Sequence, residues 1–284
     1  MKKILACIDG SGFSDSVCAH AAWLSGRINA AVELLNVLPY SPERASLSDL
    51  SGTIGIDASS ELLEQLTQAD EVRAQLEQRK GRLILKHAEQ RLRAEGVLEI
   101  TSIKRRGTLT ETISELENDA EIIVIGKRGE FAEFDAMHIG SNLERVARAV
   151  SKPLLVTPAS FHPIQKFLIA FDGGASSTRA LEYVISNPLL QGMECHVVTV
   201  GRDSDETRKT LGSAAAKLER GGYAVRSSFE AGYPDEAIQS YAASNNIDLL
   251  VIGAYGHSRI RDLIIGSTTT SIIMSCRIPL LLFR

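Results

Sequence analysis

Ten short apolar runs rich in β-branched residues recur along the chain. They lack the alternation of apolar and polar positions that marks a half-exposed strand, which indicates strands buried on both faces of a parallel sheet. The predicted strands are residues 2–8, 31–37, 98–104, 121–125, 153–157, 166–171, 194–200, 223–229, 248–252 and 279–283. Stretches with helical periodicity, such as Asp15 to Ile28 and Glu111 to Leu116, lie between them. This alternation predicts Rossmann-like, doubly wound α/β architecture.

The same order of motifs occurs twice. Lys3 to Gly10 (KILACIDG) matches Lys166 to Gly173 (KFLIAFDG). Four further matches follow in order: Ala31 to Val37 with Glu194 to Val200, Glu121 to Gly126 with Asp248 to Gly253, Gly140-Ser141 with Gly266-Ser267, and Pro153 to Val156 with Pro279 to Leu282. Ordered matches of this kind indicate a tandem duplication. We therefore expect two domains, 1–158 and 163–284, each with a mainly parallel five-stranded sheet.

The first half is longer mainly because of an insertion at about residues 41–80. Apolar residues in and after it form two groups with spacings of three and four: Leu62, Leu66, Ala69, Val72 and Leu76, then Leu85, Ala88 and Leu92. That spacing predicts a long amphipathic helix, which we expect to break near Gly81. We expect it to lie over the sheet or the partner domain rather than to bind a membrane or another protein.

The composition of the chain argues against several classes of protein. The 284 residues are 44% hydrophobic and 23% charged, with a net charge of -4, and no segment concentrates the basic residues as a nucleic-acid site requires. The apolar runs are far shorter than the roughly 20 residues of a membrane span, and the N-terminus lacks the apolar core of a signal peptide. A cytoplasmic protein is expected. The four cysteines show no metal-ligand or disulfide spacing, so we expect reduced, packed thiols and no bound metal.

A glycine pattern follows the fourth strand of the second half. Gly253-Ala254-Tyr255-Gly256 is followed by nine residues and then by Gly266-Ser267-Thr268 at a predicted helix start. Glycines let the backbone approach a ligand closely, and a helix start offers N–H groups to phosphate oxygens. Because such sheets bind ligands at the carboxyl ends of their strands, the pattern predicts a cradle suited to a triphosphate. The Gly266-Ser267-Thr268 fragment alone is more often a simple helix cap.

Each of the other polar residues near this cradle has two alternative roles. Asp172 closes the first strand of the second half, where its carboxylate can accept hydrogen bonds from a sugar or base, or can close a turn with Gly173-Gly174. Both roles stay open. His257, Arg259 and Arg261 in the intervening loop either lie near phosphate or are solvated surface residues, and we do not count them as ligands.

These motifs resemble the ATP-binding branch of the universal stress proteins, and the resemblance covers nearly the whole chain as two fused domains. It implies that Asp172 and the backbone of Val200 hold ribose and adenine. It also implies that the phosphates of ATP, with or without magnesium, are held by the following residues: Gly253, Gly256, Gly266, Ser267 and Thr268. By the same resemblance the two halves pair through their last strands about a pseudo-two-fold axis. A regulatory stress-response role follows, and a homodimer is left open.

The first half departs from the pattern. Gly126-Lys127-Arg128-Gly129 is followed by ten residues, including Phe131 and Phe134, before Gly140-Ser141. We expect a weaker second site formed by the corresponding residues: Asp9, Val37, Gly126, Gly129, Gly140 and Ser141. Lys127 and Arg128 either compensate electrostatically for the altered loop or are surface charges.

Two other classes of function stay open. The first is a slow ATPase or a nucleotidyl or phosphoryl transferase with Asp262 as the nearby carboxylate, although the chain has no Walker or kinase motif. The second is a nucleotide-independent protein that binds a partner or holds a small apolar ligand between its domains, an alternative that the helical insertion and the altered first loop keep open. The first strand of the chain is followed by only the first two glycines of the dinucleotide-binding fingerprint, so a dehydrogenase is not expected. The Gly-x-Ser-x-Gly pattern of esterases is absent from the sequence.

Overall fold

A computed structural model describes residues 2–39, 56–129, 141–254 and 267–284. In the first half its elements are β1 (Lys3–Cys7), α1 (Ser14–Ile28), β2 (Ala31–Leu38), α2 (Ile56–Ala94), β3 (Ile100–Arg106), α3 (Leu109–Leu116), β4 (Ile122–Gly126), α4 (Ser141–Ala149) and β5 (Leu154–Thr157). In the second half they are β6 (Lys166–Ala170), α5 (Ala175–Ser186), β7 (Glu194–Val200), α6 (Asp205–Arg220), β8 (Val225–Glu230), α7 (Pro234–Ser244), β9 (Leu249–Gly253), α8 (Ser267–Ser275) and β10 (Leu280–Phe283). The prediction of ten strands is confirmed, each close to its expected bounds.

The ten strands form one sheet in the order β3-β2-β1-β4-β5-β10-β9-β6-β7-β8. Strands within each half are parallel, and the order in the second half mirrors that in the first. The two halves meet where β5 and β10 pair antiparallel, with Leu155 opposite Leu281. The predicted pairing through the last strands about a pseudo-two-fold axis is thus confirmed. It also covers two apolar edges that would otherwise invite aggregation.

The apolar core lies on both faces of this sheet and runs across the junction. One cluster joins Ile4 of the first half to Phe167 of the second, and the cluster on the opposite face joins Leu5 to Leu168. Neighbouring residues of one strand serve opposite faces, which explains why the apolar runs do not alternate. All four cysteines are buried free thiols in these clusters.

Helix α2 runs without a break through Gly81, so the prediction of a break there is wrong. A Cβ on Gly81 would lie 2.8 Å from Asn36 Oδ1, beside β2. The glycine therefore lets α2 pack closely on the sheet rather than ending the helix. The insertion lies over the sheet only in part. Leu85, Ala88 and Leu92 are buried, whereas most residues from 65 to 80 are exposed.

Helix α3 shows how local sequence sets an element boundary. Thr108 is its N-cap, with its Oγ1 accepting a hydrogen bond from the backbone N–H of Glu111 at 3.3 Å. The hydroxyl in turn donates to the Glu111 carboxylate at 2.7 Å, which adds a charge-assisted bond at the helix start. In the part of the chain that the structure describes, every helix is too short or too polar to cross a membrane.

Candidate functional site

Three predicted site residues of the second half lie at one edge of the sheet. β6 lies between β9 and β7, and the register pairs Ala170 with both Ile252 and Val198. Val200 and Gly253 end β7 and β9, and Asp172 follows the end of β6 by two residues, so the three residues lie at nearly the same level. The strand spacing of about 4.8 Å makes this edge roughly 10 Å wide, which is the scale of a nucleoside. The structure thus brings these three residues together.

Asp172 has a structural role at this edge. Its Oδ1 accepts hydrogen bonds from the backbone N–H of Gly174 at 2.8 Å and from the Ser177 hydroxyl at 2.5 Å. These bonds close a turn after β6 and fix the first turn of α5. The side chain is nevertheless at the exposed edge of the sheet. The turn role is therefore established, and a ligand role stays a prediction.

Gly253 ends β9 directly beneath the start of α5. A Cβ there would overlap the backbone nitrogen of Ser177 and would lie 2.7 Å from the carbonyl carbon of Ser176. Only glycine permits this approach of strand and helix, so the residue has a packing reason as well as a predicted ligand role. The contact places the start of the glycine-containing segment that follows β9 beside the turn formed by Asp172.

The remainder of the predicted phosphate cradle is only partly described. Residues 255–266, which include Gly256, Gly266, His257, Arg259, Arg261 and Asp262, lie outside the described residues. Ser267 is the first residue of α8, and Thr268 is exposed in its first turn. α8 is held by α7, since the Ser271 hydroxyl donates to Asp235 Oδ2 at 2.6 Å. The helix start is thus positioned by contacts outside the loop.

The first half repeats the turn after its first strand. Asp9 Oδ1 accepts hydrogen bonds from the backbone N–H of Ser11 at 2.9 Å and from the Ser14 hydroxyl at 3.3 Å. A Cβ on Gly129 would lie 3.0 Å from Asp9 Oδ2, so the loop after β4 folds back onto this turn. Val37 lies near the end of β2, next to β1. Gly140 lies outside the described residues, and Ser141 is described only as the first residue of α4.

The loop after β4 also packs against the start of α1 in this half. A Cβ on Gly126 would lie 2.8 Å from Phe13 Cβ, so a side chain at Gly126 would displace Phe13. The corresponding contact in the second half is made by the backbone of Ser176 and Ser177. An aromatic side chain therefore stands where the second half has small residues.

A second difference between the halves is an apolar side chain from α2. Gly10 and Gly173 are the equivalent turn glycines, with φ of 80° and 77°. A Cβ on Gly10 would lie 2.7 Å from Ile84 Cδ1, whereas one on Gly173 would lie 3.1 Å from Thr210 Cγ2. The first turn is thus covered by a branched apolar residue and the second by a residue with a hydroxyl. The sequence patterns described above include neither Ile84 nor Thr210, so they do not predict this difference.

Lys127 serves neither of the roles considered from the sequence. Its ammonium donates to the backbone oxygens of Met274 at 2.8 Å and Cys276 at 2.7 Å, at the C-terminal end of α8 in the other half. Burial lowers the pKa of Lys127 from its ordinary value. This cation thus caps a helix end, where it complements the helix dipole.

Arg284 makes the reciprocal contact. Its guanidinium donates to the backbone oxygens of Arg148 and Ala149 at the end of α4. Each half thus caps the last helix of the other half with a cation, a pattern that no local motif reveals. Within the described ranges, no three His, Cys, Asp or Glu side chains cluster as metal ligands would.

Comparison with known proteins places the chain in a family. The model of the universal stress protein family matches residues 1–158 and again residues 163–284. Universal stress protein Slr1230 from Synechocystis sp. (strain ATCC 27184 / PCC 6803 / Kazusa) is 39% identical over 287 residues, which covers 100% of both chains.

Two further relatives show the duplication and the fold. Universal stress protein YxiE from Bacillus subtilis (strain 168) is 24% identical over 145 residues, covering 42% of this chain and 98% of YxiE. The crystal structure of a universal stress protein from Archaeoglobus fulgidus DSM 4304 superposes with a TM-score of 0.74 at 22% identity, covering 99% of this chain and 96% of that one. The chain therefore belongs to the universal stress protein family and carries two domains of that family in tandem.

Proposed function

We propose that this protein binds an adenine nucleotide, ATP in the first place, mainly in its second half, and that it acts as a regulatory stress-response factor in the cytoplasm. The observation that carries the proposal is the meeting of Asp172, Val200 and Gly253 at the carboxyl edge of three adjacent strands. Ligands of doubly wound sheets bind at this edge.

The proposed contacts follow from the chemistry of each group. A carboxylate such as Asp172 accepts hydrogen bonds from ribose hydroxyls, and the backbone at Val200 offers N–H and C=O groups to an adenine edge. The phosphates would lie toward the start of α8, where Ser267 and Thr268 supply backbone N–H groups at the positive end of the helix dipole. Gly256 and Gly266 complete the proposed cradle, and ATP binds there with or without magnesium.

The two halves are proposed to bind unequally. Ile84 covers the turn of the first half, and Phe13 lies against Gly126, whereas Thr210 and small residues occupy these places in the second half. An isoleucine offers no hydrogen bond to a sugar, and both bulky side chains reduce the room beside Asp9. We therefore expect the first half to be the weaker site.

A direct experiment asks whether a nucleotide accompanies the protein. Gently purified full-length chain is denatured, and the released small molecules are identified by mass spectrometry. Ligand-free protein is then titrated calorimetrically with ATP, ADP and cyclic AMP. Saturable binding of ATP supports the proposal. The absence of binding heat and of co-purified nucleotide contradicts it and favours a nucleotide-independent protein.

A matched pair of variants tests the assignment of residues. Asp172→Asn and Asp9→Asn each keep the Oδ1 atom that closes the turn, and Asn caps a helix start about as well as Asp. Each removes the charge and replaces the Oδ2 acceptor with an NH2 donor. Loss of one charge-assisted hydrogen bond, about 1.5 to 3 kcal/mol, weakens ATP binding roughly tenfold to a hundredfold for Asp172→Asn. Asp9→Asn should change it little, and equal losses would refute the unequal sites.

A further inference from the structure

The N-terminal part of α2 forms an arm, defined here as residues 65–80, that leaves the body of the protein. Gly81 packs beside Asn36 and Leu38 at the end of β2, and the helix before it runs on from that edge. From Ile56 to Lys80 the helix is ~37 Å long at 1.5 Å per residue. Most residues of the arm are exposed.

One face of the arm is apolar although it is exposed, and Leu83, three residues past the arm, continues this face. Val72, Leu76 and Leu83 are 57%, 61% and 60% exposed, and Leu66 and Ala69 are exposed beside them. At 100° per residue these five positions fall within an arc of about 120°. The face that α2 buries against the sheet, with Leu85, Ala88 and Leu92, points the other way. Among the described residues nothing covers the apolar arc.

The apolar arc has one of the two repeating positions of a coiled-coil seam. Leu62, Ala69, Leu76 and Leu83 are seven residues apart, whereas the position three residues after each is apolar only at Val72 and is Gln65, Arg79 and Lys86 elsewhere. Seven-residue spacing is typical of helices that pair along their length, and the polar positions confine the closest apolar contact to the region around Val72. A helix that only covers its own sheet needs no such repeat on its outer face.

The charges beside the seam divide by sign along the helix. Residues 57–71 contain five carboxylates and no cation: Asp57, Glu61, Glu64, Asp70 and Glu71. Residues 73–86 contain five cations, Arg73, Arg79, Lys80, Arg82 and Lys86, and one carboxylate, Glu77, which pairs with Arg73 at 3.6 Å. A second identical helix is complementary only when it runs antiparallel, because a parallel partner would set like charges side by side.

We propose that the arm pairs antiparallel with the arm of a second copy of this chain. With the two-fold axis near Val72, Ala69 meets Leu76 of the second copy, and the acidic and basic segments lie opposite one another. The register also sets Leu83 opposite the sequence position of Leu62. The acidic residues in the first four turns of α2 would be repelled by an anionic membrane surface. A membrane is therefore disfavoured as the partner of the arm.

Cysteine crosslinking tests the direction of pairing in the full-length chain. The four natural cysteines are buried, so an added thiol reports on the arm alone. Val72→Cys lies at the proposed axis and should crosslink to itself efficiently under mild oxidation. Leu83→Cys is a matched control, since 60% exposure of Leu83 nearly equals the 57% of Val72. The proposed pairing holds the two Leu83→Cys sites ~33 Å apart, so they should stay unlinked.

Sedimentation velocity over a range of protein concentrations tests the contact itself. Leu76→Lys should raise the concentration for half-dimerisation about tenfold or more, because it puts a charge in the seam. Leu98→Lys is the control, since Leu98 is 93% exposed just before β3 and outside the arm. It should leave dimerisation unchanged.

Several outcomes would overturn the proposal. Equal crosslinking of the two cysteine variants would indicate parallel pairing or chance collision. A wild-type chain that stays monomeric at every concentration would exclude the dimer. If Leu76→Lys instead lowers the unfolding temperature of a monomer, the arc packs within its own chain and not on a second copy. If Leu76→Lys abolishes flotation of a monomer with anionic vesicles, the occupant is a membrane.

Discussion

His20 on α1 should make the protein sensitive to mild acid. The side chain is fully buried, and its Nδ1–H donates to the backbone oxygen of Ser16 at 2.8 Å, which leaves Nε2 as the proton-accepting atom. Nε2 is buried with no partner among the described residues, and the ring packs edge-on against Phe161 at 4.8 Å between centroids. Burial, aided by the nearby His162, lowers the pKa of His20 to about 4. The folded protein thus keeps this imidazole neutral.

The sign and size of the effect follow from linkage. In the unfolded chain the histidine pKa is about 6.5, so between pH 6.5 and 4 the unfolded state binds more protons than the folded state. Stability is therefore lost as the pH falls through this range. For His20 alone the loss is about 2 kcal/mol between pH 7 and 5, and about 3 kcal/mol by pH 4. This is a large part of the 5 to 15 kcal/mol that stabilises a typical domain.

Urea unfolding at pH 7 and pH 5 measures the effect. The His20→Leu variant removes the titrating group, so its free energy of unfolding should fall less between the two pH values than that of the wild type, by about 2 kcal/mol. The quantity compared is the change in the free energy of unfolding between the two pH values. Any effect of the substitution that is the same at both pH values therefore cancels. His87→Leu is the control because the His87 side chain is 70% exposed. A difference below about 0.5 kcal/mol between wild type and His20→Leu would refute the reasoning.

Three further predictions concern the junction and the ligand site. Lys127→Met removes two hydrogen bonds between the halves and should lower the free energy of unfolding by about 2 kcal/mol in thermal or urea unfolding, whereas exposed Lys209→Met should not. Gly266→Val should weaken ATP binding at least roughly tenfold by calorimetry, because a side chain would enter the proposed cradle, and Gly140→Val should weaken it less. With magnesium and saturating ATP, phosphate release should stay well below the ordinary enzyme range of about 1 per second, and a faster rate that Gly266→Val abolishes would make this protein an ATPase.

The fold was predictable because its determinants are local or repeated. Apolar β-branched runs mark strands wherever both faces are buried, and the β6 run of the second copy repeats that of β1. The start of α3 follows from Thr108 and Glu111, three residues apart. Even the β5–β10 junction follows from apolar edge strands that need a partner.

Features that depend on distant contacts were not predictable. Gly81 looks like a helix breaker in isolation, but Asn36 on a neighbouring strand makes it a packing glycine. Lys127 stands in a glycine-rich motif that suggests anion binding, yet its partners are carbonyl oxygens about 150 residues later in the chain. Asp172 was left with two roles because a turn and a ligand use the same carboxylate. The geometry establishes the turn, and binding measurements decide the ligand.

Helix α2 of the first half links the two proposals made for this protein. It is longer than α6, which begins only at Asp205 and places Thr210 over the turn at Gly173. In α2 the equivalent position, also ten residues before the last residue of the helix, is Ile84, which covers the turn at Gly10, and the N-terminal extension of α2 forms the exposed arm. Helix α2 thus gives the first half an apolar residue where the second half has a hydroxyl, and it also carries the apolar surface that is proposed to pair with another helix. If the first half serves assembly and the second serves nucleotide binding, Asp172→Asn should weaken ATP binding much more than Asp9→Asn.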